Sequence, residues 1–240
     1  MTVKQGIVWL IAVSIVSMCA PFLAQAECPK TWHQGEGLNF PGVNGAVYSI
    51  VEYDDGNGMA VYVGGWFSLA GSAKAVGVAK WDGAQWSTIG DVESNWIPVV
   101  YALAVYDGCL VIAGDFDLVG GVSARNIAKW NGATWTPLGA GVGGTVLELA
   151  EYGGELIAAG QLYTAGALDV NHIAKWNGTA WSKLGAGLND EVHALHVFGD
   201  RLIAGGQFTD AGGVPADYIA QWDGSTSTWA TIGNGLSGGG

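Results

Sequence analysis

Short apolar runs alternate with polar, glycine-containing turns along most of the chain, as expected for β-structure. The runs Val100–Tyr106 and Cys109–Phe116 are separated by Asp-Gly, and the runs Asn126–Trp130 and Thr134–Gly139 by Asn-Gly. Both dipeptides favour two-residue hairpin turns, because both central residues adopt positive φ. This stretch therefore predicts four antiparallel strands, which we name a to d in chain order.

The same pattern occurs four times. Its signature is Val-Ala-Lys-Trp-Asp-Gly at 78–83, Ile-Ala-Lys-Trp-Asn-Gly at 127–132 and 173–178, and Ile-Ala-Gln-Trp-Asp-Gly at 219–224. The tryptophans of the signature are 49, 46 and 46 residues apart. Such a period marks a unit that stacks on its neighbours to bury a shared core. Four-stranded units of this length are typical of β-propeller blades, with strand a innermost.

We therefore expect an all-β chain, a β-propeller of four-stranded blades with four blades present. The blades are expected at 47–99, 100–145, 146–191 and 192–240. An isolated outer strand is expected at 27–46, because Trp32 and its glycines repeat the end of a blade. The fourth repeat has its own strand d, so the chain is expected to supply part of a larger ring of six to eight blades. A four-bladed ring with a spare N-terminal strand is the alternative.

The repeats resemble those of kelch-type propellers. The resemblance rests on an apolar run that ends in a pair of glycines at the end of strand b, as in 61–65 and 202–206. Spaced aromatic residues follow this run. The aromatic pair is Trp-x4-Trp here, as in Trp81 and Trp86, and the first glycine of the doublet is alanine in the middle two repeats. This variant is similar to repeats of exported bacterial proteins and of fungal cortical cell-polarity markers. The resemblance covers essentially Trp32 to Gly235 and implies a kelch-like β-propeller over that range.

The first 26 residues have the pattern of a secretory signal peptide. Lys4 precedes an apolar stretch, and Ala24-Gln25-Ala26 is a small-residue cleavage site before Glu27. The stretch is too short for a good membrane anchor. We therefore expect a secreted, cell-surface or periplasmic protein with no membrane span after removal of the signal.

The charge of the chain excludes some classes of partner, and its cysteines leave a disulfide possible. The net charge is −12, and removal of the signal takes away one lysine and no acidic residue. A strongly acidic protein is not expected to bind nucleic acid or anionic membranes. Cys28 and Cys109 remain after cleavage, and they either form a disulfide in an oxidising compartment or stay free.

No catalytic, metal or cofactor site is predicted. The four histidines are few, and His193 and His196, three apart on a predicted strand, point to opposite faces and cannot share one ion. The tryptophan pairs recur at equivalent positions in every blade. That recurrence indicates packing between blades instead of sugar stacking. The Gly-rich stretches precede strands, which is unlike a phosphate-binding loop.

Binding residues are expected where the blades differ from one another. The b–c and d–a loops should emerge on one face, where loops on a rigid scaffold commonly carry binding residues. In the b–c loops, the fourth and the fifth residue before each strand-c tryptophan differ from blade to blade. The expected binding residues, including two carboxylates at the end of strand b in the second blade, are Asp115, Asp117, Arg125, Asn126, Asn171, His172, Asp217 and Tyr218.

The leading hypothesis is an exported, non-enzymatic propeller whose loop face binds a protein or a carbohydrate at the cell surface. Two alternatives stay open. The chain could be a non-catalytic portion of a larger extracellular hydrolase or oxidase, or a structural spacer of a cell-envelope protein.

Overall fold

The structure is a computed structural model that describes residues 42–233. The described residues form strands and no helix. The first repeat contains β1 (Ala46–Asp54), β2 (Met59–Trp66), β3 (Leu69–Ala70), β4 (Ala73–Lys74), β5 (Val78–Trp81) and β6 (Trp86–Ser87). The second follows with β7 (Val92–Glu93), β8 (Val99–Tyr106), β9 (Cys109–Asp115), β10 (Leu118–Val119), β11 (Val122–Ser123), β12 (Ile127–Trp130) and β13 (Trp135–Pro137).

The third and fourth repeats continue the same order. The third contains β14 (Val142–Gly143), β15 (Val146–Tyr152), β16 (Glu155–Gly160), β17 (Thr164–Ala165), β18 (Leu168–Asp169), β19 (Ile173–Trp176) and β20 (Trp181–Lys183). The fourth contains β21 (Val192–Phe198), β22 (Arg201–Gly206), β23 (Asp210–Ala211), β24 (Val214–Pro215), β25 (Ile219–Asp223) and β26 (Thr228–Thr231).

Four antiparallel sheets of four strands form the body of the molecule. Their strand orders are β1-β2-β5-β6, β8-β9-β12-β13, β15-β16-β19-β20 and β21-β22-β25-β26. Each sheet thus follows the chain order a, b, c and d, and consecutive inner strands pack against one another, β1 on β8, β8 on β15 and β15 on β21. This arrangement confirms the predicted all-β, β-propeller fold with four blades.

Small hairpins between strands b and c join each blade to the segment before it. β10 pairs with β11 and with β7, and β17 pairs with β18 and with β14. Single bridges, Val43 with Ala70 and Leu188 with Ala211, repeat this link at the first and fourth blades. The b–c and d–a loops therefore lie on one face, as predicted, which we call the loop face. The a–b and c–d turns form the opposite turn face.

The repeated tryptophans pack at the junctions between blades. The two rings of each pair lie 5.2–5.4 Å apart between centroids. The indole of Trp135 donates to the carbonyl of Ile89 at 2.7 Å, and that of Trp181 donates to Leu138 at 2.9 Å, in both cases in the preceding blade. Trp229 repeats this contact with Leu184. The predicted inter-blade role of the tryptophans is thus confirmed.

A tyrosine at the end of each of the first three strands a forms a second inter-blade contact. The Tyr53 hydroxyl donates to the carbonyl of Gly108 at 3.1 Å, and the Tyr106 hydroxyl donates to that of Gly154 at 3.2 Å. Tyr152 donates to Asp200 at 2.7 Å in the fourth blade. These hydrogen bonds hold the turn faces of neighbouring blades together.

The first and last inner strands each keep one exposed face. Ile50 is 66% exposed, whereas Leu103, at the same position of the next blade, is 7% exposed. Phe198, the fourth-blade counterpart of the three tyrosines, is 73% exposed. The predicted signal peptide and the predicted strand around Trp32 lie outside the described residues, so the ring size stays a prediction.

Candidate functional site

One of the two variable positions on the loop face has a left-handed backbone in every blade. It holds Gly77, Asn126, His172 and Tyr218, with φ between 62° and 75°. The amide of Asn126 donates to the carbonyl of Phe116, and its carbonyl accepts from Gly114, so the residue closes the b–c loop. The backbone geometry limits what this position tolerates, because most side chains disfavour positive φ.

Three of the predicted side chains are bound to the scaffold. The Asn126 amide group donates to the carbonyls of Val142 and Gly144, at 3.1 and 3.0 Å. His172 Nδ1 lies 3.3 Å from the carbonyl oxygen of Gly160. The Asn171 amide group donates to the carbonyl of Ala186 at 2.7 Å. These contacts connect the loops of a blade to each other and to the segment that follows.

The remaining side chains of the b–c loops point to different parts of the face. Arg125 is exposed, and its Nη2 lies close to Gly143, as does the ring of Tyr163. Asp217 and Tyr218 are exposed on the fourth blade. The predicted binding residues of the b–c loops are therefore distributed over blades 2 to 4 along the loop face and do not form one cluster.

Asp115 and Asp117 lie at the junction between blades 1 and 2. Asp115 pairs through its backbone with Val99, and the Asp117 carboxylate accepts from the backbone and side-chain amides of Asn95, at 3.2 and 3.3 Å. Neither carboxylate forms an ion pair with Arg125, the cation among the predicted binding residues, within residues 42–233.

An insertion in the d–a linker distinguishes this junction from the other two. Ile89 and Val99 are ten residues apart, whereas the corresponding Leu138 and Thr145 are seven apart. The three extra residues account for the 49-residue spacing against 46. They fall around Trp96, which is 87% exposed.

The inserted loop is held in place on both sides of Trp96. Asn95 is bound to Asp117, the Trp96 amide donates to the hydroxyl of Ser94 at 3.3 Å, and Val99 pairs with Asp115 in the sheet of blade 2. The exposed indole therefore belongs to an anchored loop, which reduces the conformational entropy lost when a partner binds.

A cleft beside this loop has a volume of about 320 Å³ and a largely apolar lining. Trp66, Phe67, Val76, Ile97 and Pro98 form its walls. Trp66 is 53% exposed and occupies the position that holds Asp115, Gln161 and Gln207 in the other blades. We use the name aromatic cleft for Trp66, Ile97 and Pro98 of this lining together with Trp96, which precedes Ile97 in the inserted loop but does not itself line the cleft.

Two tyrosines of the inner strands lie near the acidic side of this junction. The rings of Tyr48 and Tyr101 are 5.2 Å apart between centroids. Burial, followed by the proximity of Tyr48 and of Asp115, raises the pKa of Tyr101. The negative charge of Asp115 thus contributes to the raised pKa of Tyr101, an aromatic residue of the same junction.

The sequence reasoning did not select Trp66 and Trp96. A signal was present, because these are the two tryptophans after residue 26 that lie outside the repeat pattern. The loop positions nearest strand c, which vary between blades, instead hold side chains that hydrogen-bond to the scaffold, such as Asn126.

A second groove, of about 570 Å³, lies between blades 3 and 4 on the turn face. It borders the Ser225–Ser227 insertion of the fourth blade. Two ion pairs lie along it: Lys175 contacts Glu155 at 2.6 Å, and Arg201 contacts Asp223. The pKa of Asp223 is lowered, by hydrogen bonds from Ser225 above all and also from Arg201. Asp200 shares Arg201 with Asp223, at 3.3 Å, and Glu151 forms no ion pair within residues 42–233, so the groove keeps a net negative charge.

A buried ion pair stabilises the long a–b loop of blade 1. Lys80 Nζ lies 2.5 Å from Asp55 Oδ2, and the Tyr62 hydroxyl donates to the same oxygen at 2.9 Å. Burial opposes ionisation of Asp55, but hydrogen bonds from Lys80, Tyr62 and Asn57 prevail and lower its pKa to about 2. The carboxylate is 6% exposed, so it acts in packing and not in binding.

Within residues 42–233 there is no group of three or more His, Cys, Asp or Glu side chains that could hold a metal ion. No helix in this range is long and apolar enough to cross a membrane. Cys109 is free and half-buried there. Cys28 lies outside the described residues, and its pairing stays a prediction.

Comparison with known proteins identifies no family model and no curated protein that matches this chain. Among solved structures, the chain is similar to the WD40 β-propeller domain of Doa1, with 14% sequence identity and a TM-score of 0.33. The match covers 80% of this chain and 84% of that domain. The fold of this protein is established by its own four sheets and their order.

Proposed function

We propose that this propeller, built from kelch-like repeats, is exported and acts without catalysis by binding a protein through its loop face. The observation that carries the proposal is the aromatic cleft. Trp66 and Trp96 belong to no repeated packing position, and both are more than half exposed. Exposed apolar patches on a folded protein mark interaction sites, and tryptophan is enriched among residues that dominate binding energy.

The location of the cleft supports this function. Loops on a rigid scaffold commonly carry binding residues, and the aromatic cleft lies on the loop face where two blades meet. The blades themselves are fixed by the indole and tyrosine hydrogen bonds, so the insertion around Trp96 adds a surface without altering the core. A spacer without a ligand would have no use for an anchored, exposed tryptophan.

The first test is capture of proteins from the extracellular fraction of the producing cells by the full chain. We expect a protein that is retained by the wild type and lost with the Trp66→Ala/Trp96→Ala double variant. Tyr163→Ala is the matched control, because Tyr163 is 60% exposed on the same face at another junction. Equal capture by the wild type and the double variant would reject the aromatic cleft as the binding surface.

A further inference from the structure

The junction that holds the aromatic cleft is also rich in carboxylates. Between Lys80 and Arg125 the sequence contains six acidic residues and no lysine or arginine. Three of the six, Glu93, Asp115 and Asp117, are exposed on the loop face beside the inserted linker.

Two carboxylates of the junction, Asp115 and Asp117, form no ion pair within residues 42–233. Lys74 comes close to the linker, but its Nζ binds Asp91 at 2.5 Å. Arg125 lies towards the next junction, beside Gly143. Asp115 takes part in no side-chain hydrogen bond or ion pair within residues 42–233. The inserted loop that carries Trp96 therefore lies beside two carboxylates, Asp115 and Asp117, that no cation of residues 42–233 pairs with.

The backbone contacts bring the aromatic and acidic groups to the same place. Ile97 lines the cleft with Trp66, and Val99, two residues further along, pairs with Asp115. Trp96 follows Asn95, which binds the carboxylate of Asp117. One short segment, residues 95–99, thus connects both tryptophans with both carboxylates.

From this combination we propose that the aromatic cleft binds a cationic side chain, arginine above lysine, in an extended segment of the protein partner. The inference rests on the proposed function and specifies its ligand. A cation over the face of tryptophan is attracted by the negative ring face. The guanidinium group also stacks on aromatic rings and offers a planar fork to carboxylates such as Asp115. A neutral carbohydrate would stack on the tryptophan rings but would not form an ion pair with Asp115 or Asp117.

Titration of the ¹⁵N-labelled full chain with N-acetyl-arginine methylamide, followed by NMR of the indole N–H signals, tests this proposal. The Trp66 and Trp96 signals, assigned with single Trp→Phe variants, should shift and saturate. The citrulline analogue, which has the same shape without the charge, should bind more weakly, and added salt should weaken the arginine probe.

The variants give the size and the location of the effect. Trp96→Ala should lower the affinity for the arginine probe by about two- to fivefold, the contribution expected for an exposed cation–π contact. Asp115→Asn should weaken binding and reduce its dependence on salt. Tyr163→Ala should leave the titration unchanged.

The other outcomes would overturn the proposal. Equal shifts with the arginine and citrulline probes would show that charge is not recognised, and no shift with either would show that the cleft does not bind this side chain. Shifts with methyl glucoside but not with arginine would indicate a carbohydrate site. The wild type could capture a protein that the Trp66→Ala/Trp96→Ala variant does not capture, while the arginine probe does not bind. In that case the proposed protein binding stands, and only the proposed ligand class is wrong.

Discussion

The three inter-blade tyrosines offer a quantitative test of how the blades are held together. Replacement of Tyr53, Tyr106 and Tyr152 by phenylalanine removes one hydroxyl at each junction and keeps the ring. Tyr106 donates to two carbonyls, at 3.2 and 3.4 Å, and Tyr53 has a similar pair of acceptors. Tyr152 donates at 2.7 Å and also accepts from the amide of Gly224 at 3.0 Å.

The expected cost follows from these geometries. An intramolecular hydrogen bond contributes about 1 kcal/mol net, and the bonds of Tyr53 and Tyr106 are long, so each hydroxyl should contribute about 1 kcal/mol. The three hydroxyls share no partner, and their effects should add to about 3 kcal/mol. In urea this corresponds to a fall of about 1 M in the midpoint for a chain of this size.

Urea unfolding followed by tryptophan fluorescence measures the effect. Tyr163→Phe is the control, because Tyr163 is exposed and its hydroxyl makes no hydrogen bond within residues 42–233, so it should change the free energy of unfolding by less than about 0.5 kcal/mol. A triple variant as stable as the control would refute a stabilising role for these hydrogen bonds.

Three further predictions concern Asp55 in the a–b loop of blade 1, the glycines 120 and 121, and the N-terminus. The pKa of Asp55 is lowered in the folded state to about 2, so its contribution is present above the unfolded pKa and is lost as the pH falls. The stability difference between the wild type and Asp55→Asn should therefore shrink by about 2 kcal/mol between pH 5 and pH 2, and a constant difference in urea titrations would contradict this. Gly120→Ala should cost about 1–3 kcal/mol more than Gly121→Ala in thermal or urea unfolding, because both residues have positive φ but only at Gly120 would Cβ lie 2.8 Å from the neighbouring Trp135 ring. Equal losses would show that the ring moves aside freely. N-terminal sequencing of exported protein should begin at Glu27, and an intact Met1 in that fraction would disprove the predicted cleavage.

Much of the fold could be predicted from the sequence because the repeat supplies the same information four times. The turns Asp107-Gly108 and Asn131-Gly132 mark strand ends, and the main strands of the second blade agree with the expected runs within a few residues. The small b–c hairpins were not predicted, since strands as short as Leu118–Val119 carry no periodicity. The bulge at Tyr48, Tyr101, Leu147 and His193 also escaped prediction, because a one-residue irregularity leaves no mark in the apolar pattern.

The candidate site was harder to predict because variation between repeats has two causes. At Asn126, His172 and Tyr218 the residue type is limited by a left-handed backbone, and only the structure shows this constraint. At Trp66 and Trp96 the difference creates a new surface, but recognising it requires the knowledge that a strand end and a distant linker meet. Asp115 and Asp117, selected from the sequence, do lie at this junction.

Site-specific photo-crosslinking tests the central claim, protein binding at the aromatic cleft, most directly. A photoreactive phenylalanine analogue at position 96 should crosslink a protein in the extracellular fraction of the producing cells. The same analogue at position 82, in an exposed c–d turn on the opposite face, should not crosslink that protein. A crosslink from position 82 and none from position 96 would contradict the account, because it would place the binding surface on the turn face.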